Sequence, residues 1–299
     1  MTRLRYAVSA VIGGLAVILT TPANSQAQDA PDPRNDESQV RPAQIPPEYL
    51  WSIEESLWRG TSIGEDYTLE LNGGLWDPIP TFVASSEQFG ITGTKIDFTQ
   101  DLGMIRKRHP ELRMTYKPGR RHKLRLHWLP IQYTQSAVLQ RQLVFQGIAF
   151  NAGVPVNSTI RWDAWRLGYE FDFVSRERGY FGIILEAKYT QIHAQLNSEI
   201  DYEFARARAP IPAIGAIGRV YVTRFTPITA EFTAFRLPDN AVEGYEARYV
   251  DFNIFGTVNL SKMVGVDLGY RSIDLSYLAD RDAGDMKLDG IYLLGVFRF

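Results

Sequence analysis

From Asp66 to Phe299 the sequence alternates apolar and polar residues with period two, run after run, and no helical period competes with it. Successive side chains of a strand point to opposite faces, so each run reads as a strand with one apolar and one polar face. Leu124, Leu126 and Trp128 alternate with Lys123, Arg125 and His127; Trp165, Leu167, Tyr169, Phe171 and Phe173 alternate with Arg166, Glu170 and Asp172. Equivalent runs recur around Leu69 to Leu75, Leu112 to Tyr116, Phe181 to Tyr189, Ile214 to Val222, Ile228 to Phe232, Val250 to Leu260 and Val264 to Tyr270. Gly290 to Phe299 supplies the tenth, with Ile291, Leu293, Phe297 and Phe299 on one face and Tyr292, Leu294, Val296 and Arg298 on the other.

Soluble sandwiches rarely sustain such runs, and a strand apolar enough to meet lipid cannot leave its backbone groups unpaired there. Every strand then needs a neighbour on both sides, which requires the last strand to close on the first. The expected fold is all-β: a transmembrane antiparallel up-and-down β-barrel of ten strands, within a range of eight to twelve, preceded by a short N-terminal helix. The hydrophobic fraction of 45% resembles that of a soluble protein, but a barrel alternates lipid-facing with lumen-facing residues and never averages to a membranous composition. There is no cysteine, which excludes disulfides, thiolate metal sites and a lipoprotein anchor. A formal charge of −2 argues against nucleic acid as a partner, since such a binder would carry a basic footprint.

Connection lengths test the topology independently, because outer-membrane barrels have short periplasmic turns and long external loops. Counting back from Phe299, short turns fall at Ser261-Lys262, Thr226-Pro227, Ser175 to Arg178 and Pro118 to Arg120. Long connections fall at 278–286, 237–246, 196–211, 135–156 and 85–107, so the two kinds alternate throughout. Leu143 to Val156 places a glycine turn between apolar runs and reads as a hairpin extending above the membrane. Residues 79–104 have two readings, an inward-folded lining segment or two further strands that would make twelve.

Residues 1–27 read as a secretory signal: Arg3 and Arg5, an apolar core from Ala7 to Thr20, and Ser25-Gln26-Ala27 as the cleavage site. Residues 28–65 form a periplasmic leader, polar and proline-rich at first. It continues as a short amphipathic helix over 47–59 with Leu50, Ile53, Leu57 and Trp58 near one face. That helix would plug the barrel, lie on the inner leaflet or pack under the periplasmic mouth. The barrel proper takes 66–299.

The inward faces concentrate charge: Glu70, Glu170, Asp172, Glu186, Glu231, Asp251 and Asp267 against Arg113, Lys123, Arg125, Arg166, Lys188, Arg219 and Arg271. Unpaired charge in a narrow lumen is costly, so these acids and bases are expected to pair. Two functions follow from the same residues: a packed network that stiffens a structural barrel, or a narrow pore whose charge ladders select a small polar solute. The alternative class is an enzyme in the barrel wall, a hydrolase or deacylase of outer-membrane lipid or lipopolysaccharide, which needs a histidine beside a serine or carboxylate at the outer rim. Among the four histidines only His193, with Ser198 and Glu199 in the loop beyond, comes near that pattern. No catalytic residue, cofactor or metal is assigned. Asp280, Asp282 and Asp285 share one loop that either holds a divalent cation or is solvated. Arg206 and Arg208 meet lipopolysaccharide phosphates, line a constriction, or serve as solubilising charge.

The element from Gly93-Thr94-Lys95-Ile96-Asp97-Phe98 to Asp101-Leu102-Gly103, the turn and strand from Pro118 to Arg125, and the aromatic ending resemble a largely uncharacterised family of Gram-negative outer-membrane β-barrels, similar in style to the small OmpA- and OmpW-like proteins. The resemblance covers residues 66–299. It implies an outer-membrane location, lipid and lipopolysaccharide as surroundings, and a last strand whose Phe297 and Phe299 signal to the barrel-assembly machinery. It implies no catalytic residues.

Overall fold

The structure is a computed structural model that describes residues 61–85, 93–145, 147–197, 202–238, 245–279 and 282–299. The expected signal and the 47–59 helix lie outside these residues, and the described part contains no helix. Its strands are β1 (Leu69–Ser85), β2 (Ile96–Asp97), β3 (His109–Gly119), β4 (His122–Val138), β5 (Leu143–Phe145), β6 (Ile148–Phe150), β7 (Pro155–Arg176), β8 (Gly179–Asn197), β9 (Tyr202–Thr223), β10 (Thr226–Arg236), β11 (Tyr245–Asn259), β12 (Val264–Ala279) and β13 (Asp282–Arg298).

All but the short β2, β5 and β6 pair antiparallel in chain order, and β13 pairs with β1, so ten strands close into a barrel. The seam runs from Glu70↔Arg298 to Ser85↔Ala283. Residues 79–85 prolong β1 and add no strand of their own. β3 leaves β1 at the Trp76↔His109 pair, and β2 joins the same edge higher up, at Val83 and Ala84. Pro78 and Pro80, which have no N–H to give a ladder, lie in the interval between these two pairings.

Along β4, β7, β12 and β13 the two faces exchange character part-way. In β7, Phe173, Tyr169, Leu167 and Trp165 are exposed while Arg166, Glu170 and Asp172 are buried; beyond Ala164 the outward row becomes Asp163, Arg161 and Asn157 and the inward row Trp162, Ile160 and Val156. β12 repeats the switch, from exposed Leu268 and Tyr270 over buried Asp267 and Arg271 to outward Asp274 and Ser276 over buried Ile273 and Leu275. β13 does so between Ile291 and Asp289, and β4 between Trp128 and Gln132. The barrel therefore has a turn-end half with an apolar exterior and charged lumen, and a loop-end half with a polar exterior and apolar core.

This inversion explains where the expected boundaries move. The stretches 196–211 and 278–286 read as loops in the sequence, yet β8, β9, β12 and β13 extend through most of them, and Leu196, Ile211 and Met286 are buried. The turn expected at Thr226-Pro227 lies at Arg224-Phe225, and Thr226 opens β10.

Residues 93–104 fold inward over the loop-end core, with Ile96, Phe98 and Leu102 fully buried. Asp97 shapes the turn by accepting from the amides of Thr99 (2.9 Å) and Gln100 (3.0 Å). The β5–β6 hairpin packs its Leu143, Phe145 and Phe150 into the same core instead of standing clear of the barrel. Thr94 and Val144 exchange two hydrogen bonds, at 2.9 and 3.0 Å, and Arg141 grips Asp101 at 2.6 and 2.8 Å, so inward loop and hairpin form one lid.

Candidate functional site

Two carboxylates organise the charged half of the lumen. Asp251 of β11 receives both Nη2 (2.8 Å) and Nε (3.1 Å) of Arg271 from β12, and pairs also with Arg166 of β7 and with Lys188 of β8 at 3.7 Å. Glu111 of β3 is surrounded by Arg113 (2.6 Å), His127 (2.8 Å) and the Nη1 of Arg271 (3.0 Å). The planar fork of Arg271 thereby joins two acids from different strands, a geometry that an ammonium point charge would not reproduce. Aromatic hydroxyls satisfy neighbouring groups: Arg166 donates to Tyr249 at 2.7 Å, Tyr292 donates to Asn253 at 2.8 Å, and the Arg113 guanidinium lies 4.6 Å from the Tyr292 ring centre.

Closer to the turn end, Lys123 lies between Glu170 (2.6 Å) and Asp172 (2.9 Å), and Arg125 spans Glu170 (3.2 Å) and Glu231 (2.7 Å). Lys188 meets Glu186 at 3.0 Å, and Glu70 meets Arg298 at 2.5 Å across the seam. The last residues before β1 enter this mouth. Glu65 accepts from Arg219 (2.8 Å) and Tyr221 (2.9 Å), while the Ile63 carbonyl accepts from Asn259 (2.7 Å) and Tyr221 (3.1 Å). Gly64 between them has φ 93°, and a Cβ there would meet Arg298 and Asn259 at 2.8 Å, so only glycine lets the segment pass so close. Burial pushes the Glu65 carboxyl up, but Arg219, Lys123 and Lys117 outweigh it and hold the group down at about 2.

The fourteen charges singled out by alternation all line this interior, and thirteen of them lie in ion pairs. Asp267 instead accepts from Thr257 (2.6 Å) and Asn72 (3.0 Å). Between the side chains lies a cavity with about 60 Å³ of room for water, bordered by Tyr67, Arg113, Glu186, Arg219 and Asn253 among others. That is space for about four or five molecules.

Alternation alone missed Glu111, which shares its face with Arg113 but precedes Leu112, the first apolar residue of its run. It also missed Glu65, which belongs to no strand. Phe297 and Phe299 are outward and exposed at the turn end. His193 is on the outward row of β8 opposite Arg161, and Ser198, Glu199 and Asp280 lie outside the described residues. Among the described residues no cluster of three histidine or acidic side chains is placed to hold a metal.

A closed, antiparallel, ten-stranded barrel with an exposed apolar girdle and a charged interior has the fold of an outer-membrane β-barrel protein. Among solved structures, the chain is similar to the outer-membrane protease OmpT from Escherichia coli, at 8% identity and a TM-score of 0.50 over 81% of this chain and 99% of that one. It also matches Ail, the attachment invasion locus protein of Yersinia pestis (9% identity, 76% and 98% covered, TM-score 0.31). A third match is the Pseudomonas putida toluene transporter TodX (9%, 82% and 94%, 0.33). At such identities the likeness to OmpT is one of fold alone. No protein-family model matches the chain, and no curated protein matches its sequence.

Proposed function

We propose that the protein resides in the outer membrane of a Gram-negative bacterium, turn end toward the periplasm, as a sealed structural barrel whose lumen charges brace the wall and do not conduct solute. The carrying observation is closure from both ends: Phe98, Leu102, Phe145 and Phe150 are buried within the loop-end core, while Ile63 to Glu65 are bonded across the turn-end mouth. A selective pore would keep a wet path from end to end; here the acids and bases hold one another around a small cavity, with the lid above it and Ile63 to Glu65 below.

The membrane assignment is supported by the girdle. Phe173 to Trp165 spans about 27 Å along the strand at about 3.4 Å per residue, or about 20 Å along the barrel axis at a tilt of about 40°. Apolar bands of such barrels are about 25 Å tall. Trp128, Trp165 and Tyr189 stand in register across β4, β7 and β8 just below the inversion, where amphipathic rings mark a lipid–water boundary. Phospholipid and lipopolysaccharide would contact this girdle, and Phe297 and Phe299 would present the assembly signal. Planar-bilayer recording tests the reading: wild-type protein should give no unitary steps. Steps that change size in Glu231→Gln or Arg219→Gln would make it a pore.

A further inference from the structure

Three buried polar atoms in the loop-end core have no hydrogen-bond partner among the described residues: Nε2 of His109, the hydroxyl of Tyr133 and Nε1 of Trp162. They sit on three adjacent strands, β3, β4 and β7, and share one patch of inner wall. Trp162 is paired with Ile131 and Tyr133 with Ile160, and the His109 and Tyr133 rings meet edge-on with centres 4.8 Å apart. The three residues are at most 4% exposed. Donors left unmade inside a barrel core are costly, and of the buried polar atoms without a partner these three lie together on one apolar patch.

Their chemistry is specific. Indole offers only a donor. The Gln132 amide donates to Nδ1 of His109 at 3.4 Å, which leaves the proton of a neutral ring on Nε2. The Tyr133 hydroxyl can donate as well. The surrounding walls are Leu129, Ile131 and Ile160, and the closest lumen cations below, Arg113, Arg166, Lys188 and Arg271, are already held by Glu111, Glu186 and Asp251. Donors clustered on an apolar wall, with Lys107, the cation acting on His109, exposed outside it, suit a neutral acceptor oxygen on an apolar body, and disfavour a carboxylate or phosphate.

The lid shares one buried cluster with Tyr133 and Trp162. Phe98, Leu102 and Met104 from the inward loop and Leu143, Phe145 and Phe150 from the hairpin belong to the same buried cluster. The exposed pair of Arg141 with Asp101 ties the hairpin arm to the inward loop, and the loop meets the wall where the Phe98 amide donates to the Phe82 carbonyl (3.0 Å) and the Thr99 hydroxyl to the Pro80 carbonyl (3.2 Å). A surface ion pair of this kind is weak, so the inward loop and the hairpin can part at that joint.

We propose that the loop-end half of the barrel is a binding chamber for a small, apolar, uncharged molecule bearing a hydrogen-bond acceptor, such as an alkyl ester or ketone, which displaces lid side chains and is held by His109, Tyr133 and Trp162. The site is independent of conduction and stands whether or not the lumen below is sealed. The test uses the full chain folded in lipid nanodiscs, titrated with octyl acetate and followed by tryptophan emission and calorimetry. Decane and octanoate serve as acceptor-free and charged comparisons.

Octyl acetate should bind saturably, at least ~tenfold more tightly than either comparison, in line with the worth of one or two buried hydrogen bonds. Tyr133→Phe and His109→Leu should each weaken octyl acetate by ~tenfold without weakening decane, and Tyr133→Phe should raise the melting temperature because it removes an unmade donor. Arg141→Ala should speed association. Octyl acetate that only partitions without saturation would overturn the proposal, leaving bound water as the partner of these donors. Equal affinity for decane, or an unchanged affinity in a folded Tyr133→Phe protein, would overturn it as well.

Discussion

Arg271 Nη1 lies 3.0 Å from Glu111 Oε1, joining residues 160 apart in sequence while the rest of the same guanidinium holds Asp251. Removing Glu111 therefore leaves Arg113 without its paired acid and takes one of two acids from Arg271. Glu111→Gln should cost about 3–5 kcal/mol, the range for breaking a buried pair from one side. The cost would be read as a shift in the urea midpoint of the folded, fast-migrating band. A loss below about 1 kcal/mol would mean that water already screens the pair.

Glu65 makes closure of the turn-end mouth pH-dependent. Its folded-state value of about 2 lies below the ordinary 4.5. It therefore contributes stability that is complete above about 4.5 and is lost as the pH falls toward 2. Hydrogen exchange at the Ile63 amide, which donates to the Arg224 carbonyl at 2.8 Å, should quicken over that window. In Glu65→Gln, exchange should already be faster at neutral pH and should lack this acid limb. Identical profiles for the two proteins would refute the assignment.

The inversion of the strand faces predicts opposite tolerance for the same substitution at two heights. Leu167→Arg places a charge in the girdle and should cost about 2–4 kcal/mol. Gln191→Arg, on the outward row of β8 beyond Tyr189, should fall within about 0.5 kcal/mol of wild type. Parallel refolding titrations in the same lipid check both, and equal penalties would place the girdle elsewhere.

Closure depends on a glycine at the seam. A Cβ on Gly74 would meet the Leu293 carbonyl oxygen at 2.1 Å, a backbone atom that cannot rotate away. Gly74→Ala should therefore reduce the fraction of chains that reach the compact band in heat-modifiability gels. Gly119→Ala, where no atom lies within 4 Å, should fold as wild type.

Much of the turn-end half was legible from sequence. Outward Leu124, Leu126 and Trp128 against inward Lys123, Arg125 and His127 is a period-two signal that survives any tertiary context, because strand geometry itself imposes it. The loop-end half was harder to read. There Trp162 and Ile160 turn inward while Arg161 and Asp163 turn outward, so the alternation persists with its meaning reversed, and polarity on the former lipid face looks like a loop.

By itself, then, the sequence determined the strands, their closure and the charges that face inward, since each follows from local alternation and from backbone groups that must be paired. Only the tertiary structure decided which charge meets which. Glu111 reaches Arg271, and Glu65 reaches Arg219, across 160 and 154 residues of chain. It also decided that residues 93–104 close the barrel from within. These are contacts between segments distant in the chain, set by barrel closure and register, and no local pattern encodes them.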